Sequence, residues 1–137
     1  MVDPIKLNLI SLQKAVTSLE TAVLAAQKMP SDLFIRDASI QRFEYTYELC
    51  HKMLKRYLEM TEPNSEEIDQ MQFAQLIRTG SEKGLLLNGW DVWVTYRYAR
   101  NLTSHTYNEE KAIEVCQIIP GFLKDAQFLL VKLHERN

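Results

Sequence analysis

The chain has 137 residues, of which 46% are hydrophobic and 25% are charged, and its formal net charge is -2. Such a composition is typical of one soluble globular domain that is large enough to bury a hydrophobic core. The acidic balance argues against a protein that coats nucleic acid through its overall charge, so any contact with RNA needs a local basic patch. We expect a single domain over residues 1–137 and no DNA partner.

The sequence shows no pattern typical of export or membrane insertion. Residues 1–4 lack the basic segment of a signal peptide, and no apolar run approaches the length of a membrane-spanning helix. Cys50 and Cys116 lie within helical patterns and lack the spacing of metal ligands. We therefore predict a cytoplasmic protein with reduced cysteines, no metal site, no cofactor and no membrane contact.

Hydrophobic residues recur at helical spacing from the N-terminus onward. The first stripe advances in alternating four- and three-residue steps and consists of Ile5, Leu9, Leu12, Val16, Leu19, Val23 and Ala26. Residues 29–32 interrupt it, because Pro30 ends one helix and Ser31 or Asp32 is suited to cap the next. A second helix is predicted over about residues 33–59. Its apolar side consists of Ile40, Phe43, Tyr47, Cys50, Leu54 and Tyr57, enlarged by Tyr45, Leu49 and Met53.

The middle of the chain predicts a loop, a shorter helix and a turn. Residues 61–65 are a loop by composition. The helix that follows, over about residues 69–83, is predicted to be broken by Gly80 and closed by Gly84. Residues 88–89, an Asn-Gly pair, form a turn before a fourth helix that carries both tryptophans.

The last helix has the clearest start signal. Asn108 is a suitable N-cap, and the two glutamates after it suit the positive end of the helix dipole. Pro120-Gly121 is a candidate kink. The predicted buried side consists of Ala112, Val115, Ile119, Phe122, Ala126, Leu129 and Leu133. These elements predict an all-α fold, an up-and-down bundle of about five helices.

The most informative segment is residues 97–107, which combines two arginines, an amide, hydroxyl groups, a histidine and a tyrosine. Arginine binds phosphate with a planar fork of donors, and histidine exchanges protons near neutral pH. Residues four or three apart share a face of an unbroken helix. One stripe is then Arg97, Asn101 and His105, and its neighbour is Arg100, Ser104 and Tyr107. Arg100 and His105 would converge if the helix loosened near residues 103–104, or across a dimer axis.

The pattern reads R-x4-H-x-Y from Arg100 through His105 to Tyr107, with Asn directly after the arginine. Together with the segments QRFEYTYEL, MLKR and WVTYR, it resembles the HEPN superfamily (higher eukaryotes and prokaryotes nucleotide-binding domain). Within that superfamily, the chain resembles the small bacterial nucleotidyltransferase substrate-binding proteins, which are encoded beside a minimal nucleotidyltransferase. The resemblance extends over nearly the whole chain and implies a HEPN-like helical bundle.

The resemblance implies that Arg100 and His105 are catalytic. In HEPN ribonucleases the matching arginine and histidine act without metal at the interface of a homodimer. His105 would take a proton from an RNA 2'-hydroxyl or return one to the leaving 5'-oxygen, and Arg100 would stabilise the charge on phosphorus-bound oxygens. One histidine cannot easily do both, which favours a two-fold pair. From spacing alone, a surface ion pair for Arg100 and a helix-capping His105 are favoured instead.

The neighbouring residues have supporting roles in this hypothesis. Asn101 would orient the imidazole or contact phosphate, or else cap a helix end. Arg97 would widen the basic patch or pair with an acidic neighbour, and Ser104 would support phosphate binding or hydrogen-bond at the helix end. The resemblance implies that the partner nucleotidyltransferase attaches AMP to Tyr107, which would block the RNA site by bulk and negative charge. The alternative is a partly buried tyrosine that bonds a neighbour.

Two other functions fit the same residues. The chain would be a non-catalytic subunit that binds a nucleotide or acceptor substrate and presents it to the nucleotidyltransferase, or an interaction module whose polar residues hold a dimer together. An intact R-x4-H-x-Y favours the ribonuclease, as the HEPN-type toxin of a type VII-like toxin–antitoxin pair, whereas the acidic net charge favours the binding subunit. The chain lacks a glycine-rich phosphate loop and a nucleotidyltransferase signature, so we do not expect it to transfer nucleotides itself.

Overall fold

The computed structural model describes residues 6–137, and these residues form helices and no strand. Six α-helices follow one another: α1 Ile10–Lys28, α2 Leu33–Thr61, α3 Ser65–Asp69, α4 Phe73–Glu82, α5 Trp90–Leu102 and α6 Glu109–Arg136. A short 3-10 turn, Thr103–His105, joins the end of α5 to the segment before α6. The predicted all-α bundle is confirmed. Residues 1–4 and Ile5, on which the signal-peptide expectation and the start of the first stripe rest, lie outside the described residues.

The predicted caps of the two longest helices are confirmed. Asp32 starts α2, because its carboxylate accepts hydrogen bonds from the backbone N–H groups of Phe34 and Ile35 at 2.9 and 3.1 Å. Asn108 starts α6 in the same way, since its side-chain oxygen accepts from the N–H groups of Glu110 and Lys111 at 3.0 and 3.3 Å. Each cap satisfies two backbone donors that a helix start leaves without partners.

The predicted helix over residues 69–83 was wrong in its limits. Residues 65–82 instead form two helices, α3 and α4, and Gly80 lies inside α4 rather than breaking it. The reason is packing: a methyl group at Gly80 would lie 3.1 Å from a terminal carbon of Leu54, so α4 approaches α2 closely there. Gly84 does end this segment, with a φ of 75° that favours glycine. The candidate kink at Pro120-Gly121 lies inside α6, which continues through it as one helix.

An aromatic cluster joins α2, α5 and α6 and sets their relative positions. Phe43 packs edge-on against Phe122 with ring centroids 5.0 Å apart, and Trp93 lies 5.9 Å from Phe122. The ring centroids of Tyr47 and Trp93 are 6.4 Å apart, and Tyr47 is also buried. Tyr45, which was predicted to enlarge the apolar side of α2, is 37% exposed instead. Because Phe43 and Tyr47 face the core, the residues that follow each of them are turned toward the surface beside α5.

Most other residues predicted for the buried sides of the long helices are buried, but Ala26, Leu49 and Tyr57 are only half-buried. Every residue of the stripe predicted for α6 is buried, and so are Leu12, Val16, Leu19 and Val23 of α1. No helix within residues 6–137 is both long enough and apolar enough to span a membrane.

Candidate functional site

The polar segment lies where α5 gives way to α6. Arg97 and Arg100 are on the last turns of α5, His105 ends the 3-10 turn, and Tyr107 follows it. The helix type changes at Thr103, whose backbone N–H donates to the backbone oxygen of Arg100, three residues earlier. The Thr103 hydroxyl donates to the same oxygen at 2.7 Å. The polypeptide therefore tightens at this point, whereas a loosened helix was one of the two arrangements expected to unite the site.

The tightening does not bring Arg100 and His105 to one face. With about 100° of rotation per residue in α5 and about 120° in the 3-10 turn, the two Cα positions point roughly 160° apart around the axis. No hydrogen bond joins their side chains in the described part of the chain. Within one chain, the two side chains therefore lie on different sides of this junction.

Arg100 is held by carboxylates of α2. Its Nε donates a 2.7 Å hydrogen bond to Glu48, and its Nη2 lies 3.5 Å from Glu44. Its Nη1 lies 3.3 Å from the Thr103 hydroxyl, and the guanidinium side chain stays 29% exposed. Within one chain, Arg100 thus makes the surface ion pairs that spacing alone favours.

His105 and Tyr107 are open to solvent. The Tyr107 side chain is 87% exposed, which excludes the partly buried tyrosine considered as its alternative. The imidazole of His105 is also exposed, and its ring centroid lies 6.1 Å from that of Tyr107 at an interplanar angle of 67°. The His105 backbone oxygen accepts a 3.1 Å hydrogen bond from Asn108, which ties the turn to the cap of α6. Both side chains can therefore be reached by a macromolecule.

The three supporting residues are all exposed: Arg97, Asn101 and Ser104. Arg97 lies near α2, where its charge acts on two partly or fully buried side chains. The pKa of His51 is lowered by burial first and then by the positive charges of Lys55 and Arg97. Burial raises the pKa of Tyr47, and the charges of Arg97 and Arg100 oppose that rise. Arg97 and Arg100 thus place two positive charges on α5, and Arg100 is paired with the carboxylates of α2.

A polar cavity of about 410 Å³ lies beside Tyr107. It is lined by Arg36, Asp37, Ile40, Gln41, Glu44, Thr103, Thr106 and Tyr107. Arg36 forms an ion pair with Glu109 at 2.8 Å and also lines a second, mainly apolar cavity of about 590 Å³ between α1, α2 and α6. Within residues 6–137 there is no group of three or more His, Cys, Asp or Glu side chains placed to hold a metal ion.

Sequence reasoning did not single out the two carboxylates that hold Arg100. Glu48 is 52 residues from Arg100 along the chain, so no local pattern joins them. One signal was present: Glu44 and Glu48 each follow a core aromatic of α2, and they are four residues apart on one helical face.

Known proteins are similar to this chain in sequence and in fold. The chain matches the family described as nucleotidyltransferase substrate binding protein like over residues 7–135. It is 40% identical to a protein of Haemophilus influenzae named probable ribonuclease HepT, over 96% of this chain and 95% of that protein.

Two solved structures share the helical bundle. One, from Haemophilus influenzae, is described as revealing the fold of a substrate binding domain of a nucleotidyltransferase. It has a TM-score of 0.86 and 36% identity, covering 93% of this chain and 99% of that one. The other, from Thermus thermophilus, has a TM-score of 0.74 and 30% identity, covering 89% and 98%. The chain therefore belongs to the nucleotidyltransferase substrate-binding-protein-like family, as its motifs indicated.

Proposed function

We propose that this protein is a HEPN-type toxin, a metal-independent endoribonuclease that works as a cytoplasmic homodimer and is silenced when a partner minimal nucleotidyltransferase attaches AMP to Tyr107. The observation that carries the proposal is the 40% identity, over nearly the full length of both chains, to a probable ribonuclease. The exposed position of His105 and Tyr107 supports it, because RNA and a modifying enzyme both need access to these side chains.

The reaction uses two histidines, one from each copy. His105 of one copy removes the proton from a 2'-hydroxyl, whose oxygen attacks the adjacent phosphorus. The bond from phosphorus to the 5'-oxygen breaks, and His105 of the other copy donates a proton to that leaving oxygen. The products are a 2',3'-cyclic phosphate and a 5'-hydroxyl. Arg100 stabilises the negative charge on the non-bridging oxygens, and Arg97, Asn101 and Ser104 contact neighbouring phosphates.

Modification of Tyr107 stops this reaction. The phenol oxygen attacks the α-phosphorus of ATP, pyrophosphate leaves, and a base of the partner enzyme takes the phenol proton. The phosphodiester that remains adds a negative charge and a nucleoside beside His105, whose ring is 6.1 Å from that of Tyr107. RNA is then excluded by bulk and by charge.

The proposal is tested by incubating the purified protein with its neighbouring nucleotidyltransferase, ATP and Mg²⁺. Intact-mass spectrometry and peptide mapping should find AMP on Tyr107. The unmodified protein should cleave RNA in excess EDTA and leave cyclic phosphate ends, and the modified protein should not. An unchanged mass with an active, bound partner contradicts the regulation, and the absence of cleavage contradicts the activity.

A second function has its own support. Within one chain Arg100 is occupied by Glu44 and Glu48, and the Haemophilus influenzae structure is described as a substrate binding domain of a nucleotidyltransferase. A non-catalytic subunit that presents a nucleotide or acceptor to its partner would show tight partner binding and faster transfer to a separate acceptor. It would leave RNA intact, which distinguishes it from the ribonuclease.

A further inference from the structure

We infer that Glu48 is a positioning residue, which holds the Nε–H of Arg100 so that the Nη1 and Nη2 groups of the guanidinium are presented to an RNA phosphate. The inference rests on the proposed function, since it assigns to Arg100 the phosphate of the cleaved strand. It adds a residue of α2 that lies outside the R-x4-H-x-Y pattern, in the QRFEYTYEL segment.

The three contacts of Arg100 differ in strength. The Nε–Glu48 distance of 2.7 Å is that of a short, charge-assisted hydrogen bond. The distances from Nη2 to Glu44, 3.5 Å, and from Nη1 to Thr103, 3.3 Å, lie at or beyond the long end of the range for good hydrogen bonds. Arg100 is therefore anchored firmly at one nitrogen and loosely at the other two.

The geometry of the guanidinium determines which of its edges remains available to a phosphate. Five N–H donors are arranged in a planar fork, and a phosphate is best bound by two parallel donors. Glu48 and Glu44 lie along the side edge formed by Nε and Nη2, whereas the end edge is formed by Nη1 and Nη2. A phosphate that approaches the end edge has only the two long contacts to displace.

The fold holds Glu48 at this place. Tyr47, the residue before it, is buried against Trp93 of α5 with ring centroids 6.4 Å apart. This packing fixes both the rotation of α2 and its distance from the helix that carries Arg100. Glu48 is thus on a rigid element, while its own side chain is 53% exposed.

Stability alone does not account for the contact. Exposed ion pairs contribute little to folding, and Arg100 and Glu48 are both partly exposed. Holding a long side chain in its binding geometry instead lowers the entropy that RNA binding must overcome. The benefit of Glu48 should therefore appear in binding and catalysis rather than in the melting temperature.

The test compares Glu48→Ala and Glu48→Gln with the same two changes at Glu44. The probe is a fluorescein-labelled 2'-O-methyl oligonucleotide of mixed sequence, which cannot be cleaved because the 2'-nucleophile is blocked. Its Kd is measured by fluorescence anisotropy, together with kcat and KM on unmodified RNA and the NMR signal of the Arg100 Nε–H group. Gln keeps an oxygen acceptor without the charge, so it separates orientation from electrostatics.

We expect Glu48→Ala to weaken probe binding by about tenfold, to lower kcat, and to remove the protected Nε–H signal. Glu48→Gln should stay within about threefold of the parent and keep that signal, and both Glu44 variants should bind as well as the parent or better. Unchanged probe binding in Glu48→Ala overturns the inference. Tighter binding in both Glu48 variants also overturns it, because Glu48 would then be an electrostatic brake.

Failure of the inference can be told from failure of the proposed function. If the parent cleaves RNA and Glu48→Ala matches it, only the positioning role is lost. If the parent binds the probe with the expected dependence on Glu48 but leaves RNA intact, the ribonuclease proposal is lost and the positioning role stands. A parent that neither binds nor cleaves overturns both.

Discussion

Asp125 of α6 accepts a hydrogen bond from the hydroxyl of Tyr96 on α5, although both side chains are buried. The same carboxyl group accepts from the backbone N–H of Asn88 at 3.2 Å and from its side-chain amide at 2.9 Å. These three donors lie on the segment that leads into α5 and on α5 itself. Asp125 therefore fixes the start of the helix whose other end carries the candidate site.

Replacing Asp125 by alanine should destabilise the protein by about 3 kcal/mol, because it leaves buried donors without partners. Asp125→Asn should cost less, since it keeps one oxygen acceptor. The free energy of unfolding, measured in urea with circular dichroism, checks both values. Stability equal to the parent in Asp125→Ala would show that the buried network contributes nothing.

Alkaline pH should weaken the same contact. Burial, and then the hydrogen bond to Asp125, raise the pKa of Tyr96 above its ordinary value of 10.0. The neutral phenol is thus favoured in the folded state, so its contribution is complete below about pH 10 and is lost as the pH rises further. Tyr96→Phe should make the fall in stability between pH 9 and 11 shallower, measured by urea unfolding across that range. An identical slope in both proteins would contradict this assignment.

The long helices were predictable because a periodic apolar stripe marks a buried face wherever the helix packs. This held for α1, α2 and α6, and the caps of α2 and α6 were also visible in the sequence. It failed for residues 65–82, where glycine was treated as a break. Gly80 is needed because Leu54 lies close to it, and such a contact between helices has no local sequence signature.

The candidate site also contains residues that the sequence predicted and residues that it did not. Arg100, His105 and Tyr107 were singled out by residue type and by the family resemblance, and the structure places them around one junction between helices. Their carboxylate neighbours, Glu44 and Glu48, were not found, because their approach to Arg100 depends on how α2 packs against α5. Residue spacing predicts which side chains share a face of one helix, but it does not predict which side chains of a neighbouring helix contact that face.

Two helical glycines should respond to alanine in opposite directions. At Gly80 the new methyl group would meet Leu54 at 3.1 Å and Leu86 at 3.3 Å, so overpacking should outweigh the gain in helix propensity. We expect a loss of about 1–2 kcal/mol. Gly121 is the matched control: it is exposed inside α6, and the nearest atom to the new methyl lies at 3.8 Å. Gly121→Ala should therefore stabilise by about 0.5–1 kcal/mol. Thermal and urea unfolding check both signs, and a stabilised Gly80→Ala would show that the helices can move apart.

His105→Ala should abolish RNA cleavage without harming the fold. Loss of a general acid or base lowers kcat by about 100-fold to 10,000-fold. The side chain is exposed, so the melting temperature should change by less than about 2 °C. His134→Ala is a matched control, since His134 is an exposed histidine near the end of α6. Cleavage and growth inhibition are the measurements, and a His105→Ala protein as toxic as the parent would remove His105 from the mechanism.

Tyr107→Phe should separate the activity from its control. The phenyl ring keeps the shape beside His105, so RNA cleavage should stay within about threefold of the parent. Without the phenol oxygen the partner nucleotidyltransferase has no acceptor, so AMP incorporation should disappear and coexpression of the partner should no longer relieve toxicity.

Tyr98→Phe is the control: Tyr98 is 49% exposed, but its hydroxyl donates to Glu114 at 3.1 Å. That hydrogen bond makes Tyr98 a poorer acceptor, so Tyr98→Phe should be modified like the parent. Continued AMP incorporation in Tyr107→Phe, mapped by mass spectrometry of its peptides, would assign the acceptor to another residue.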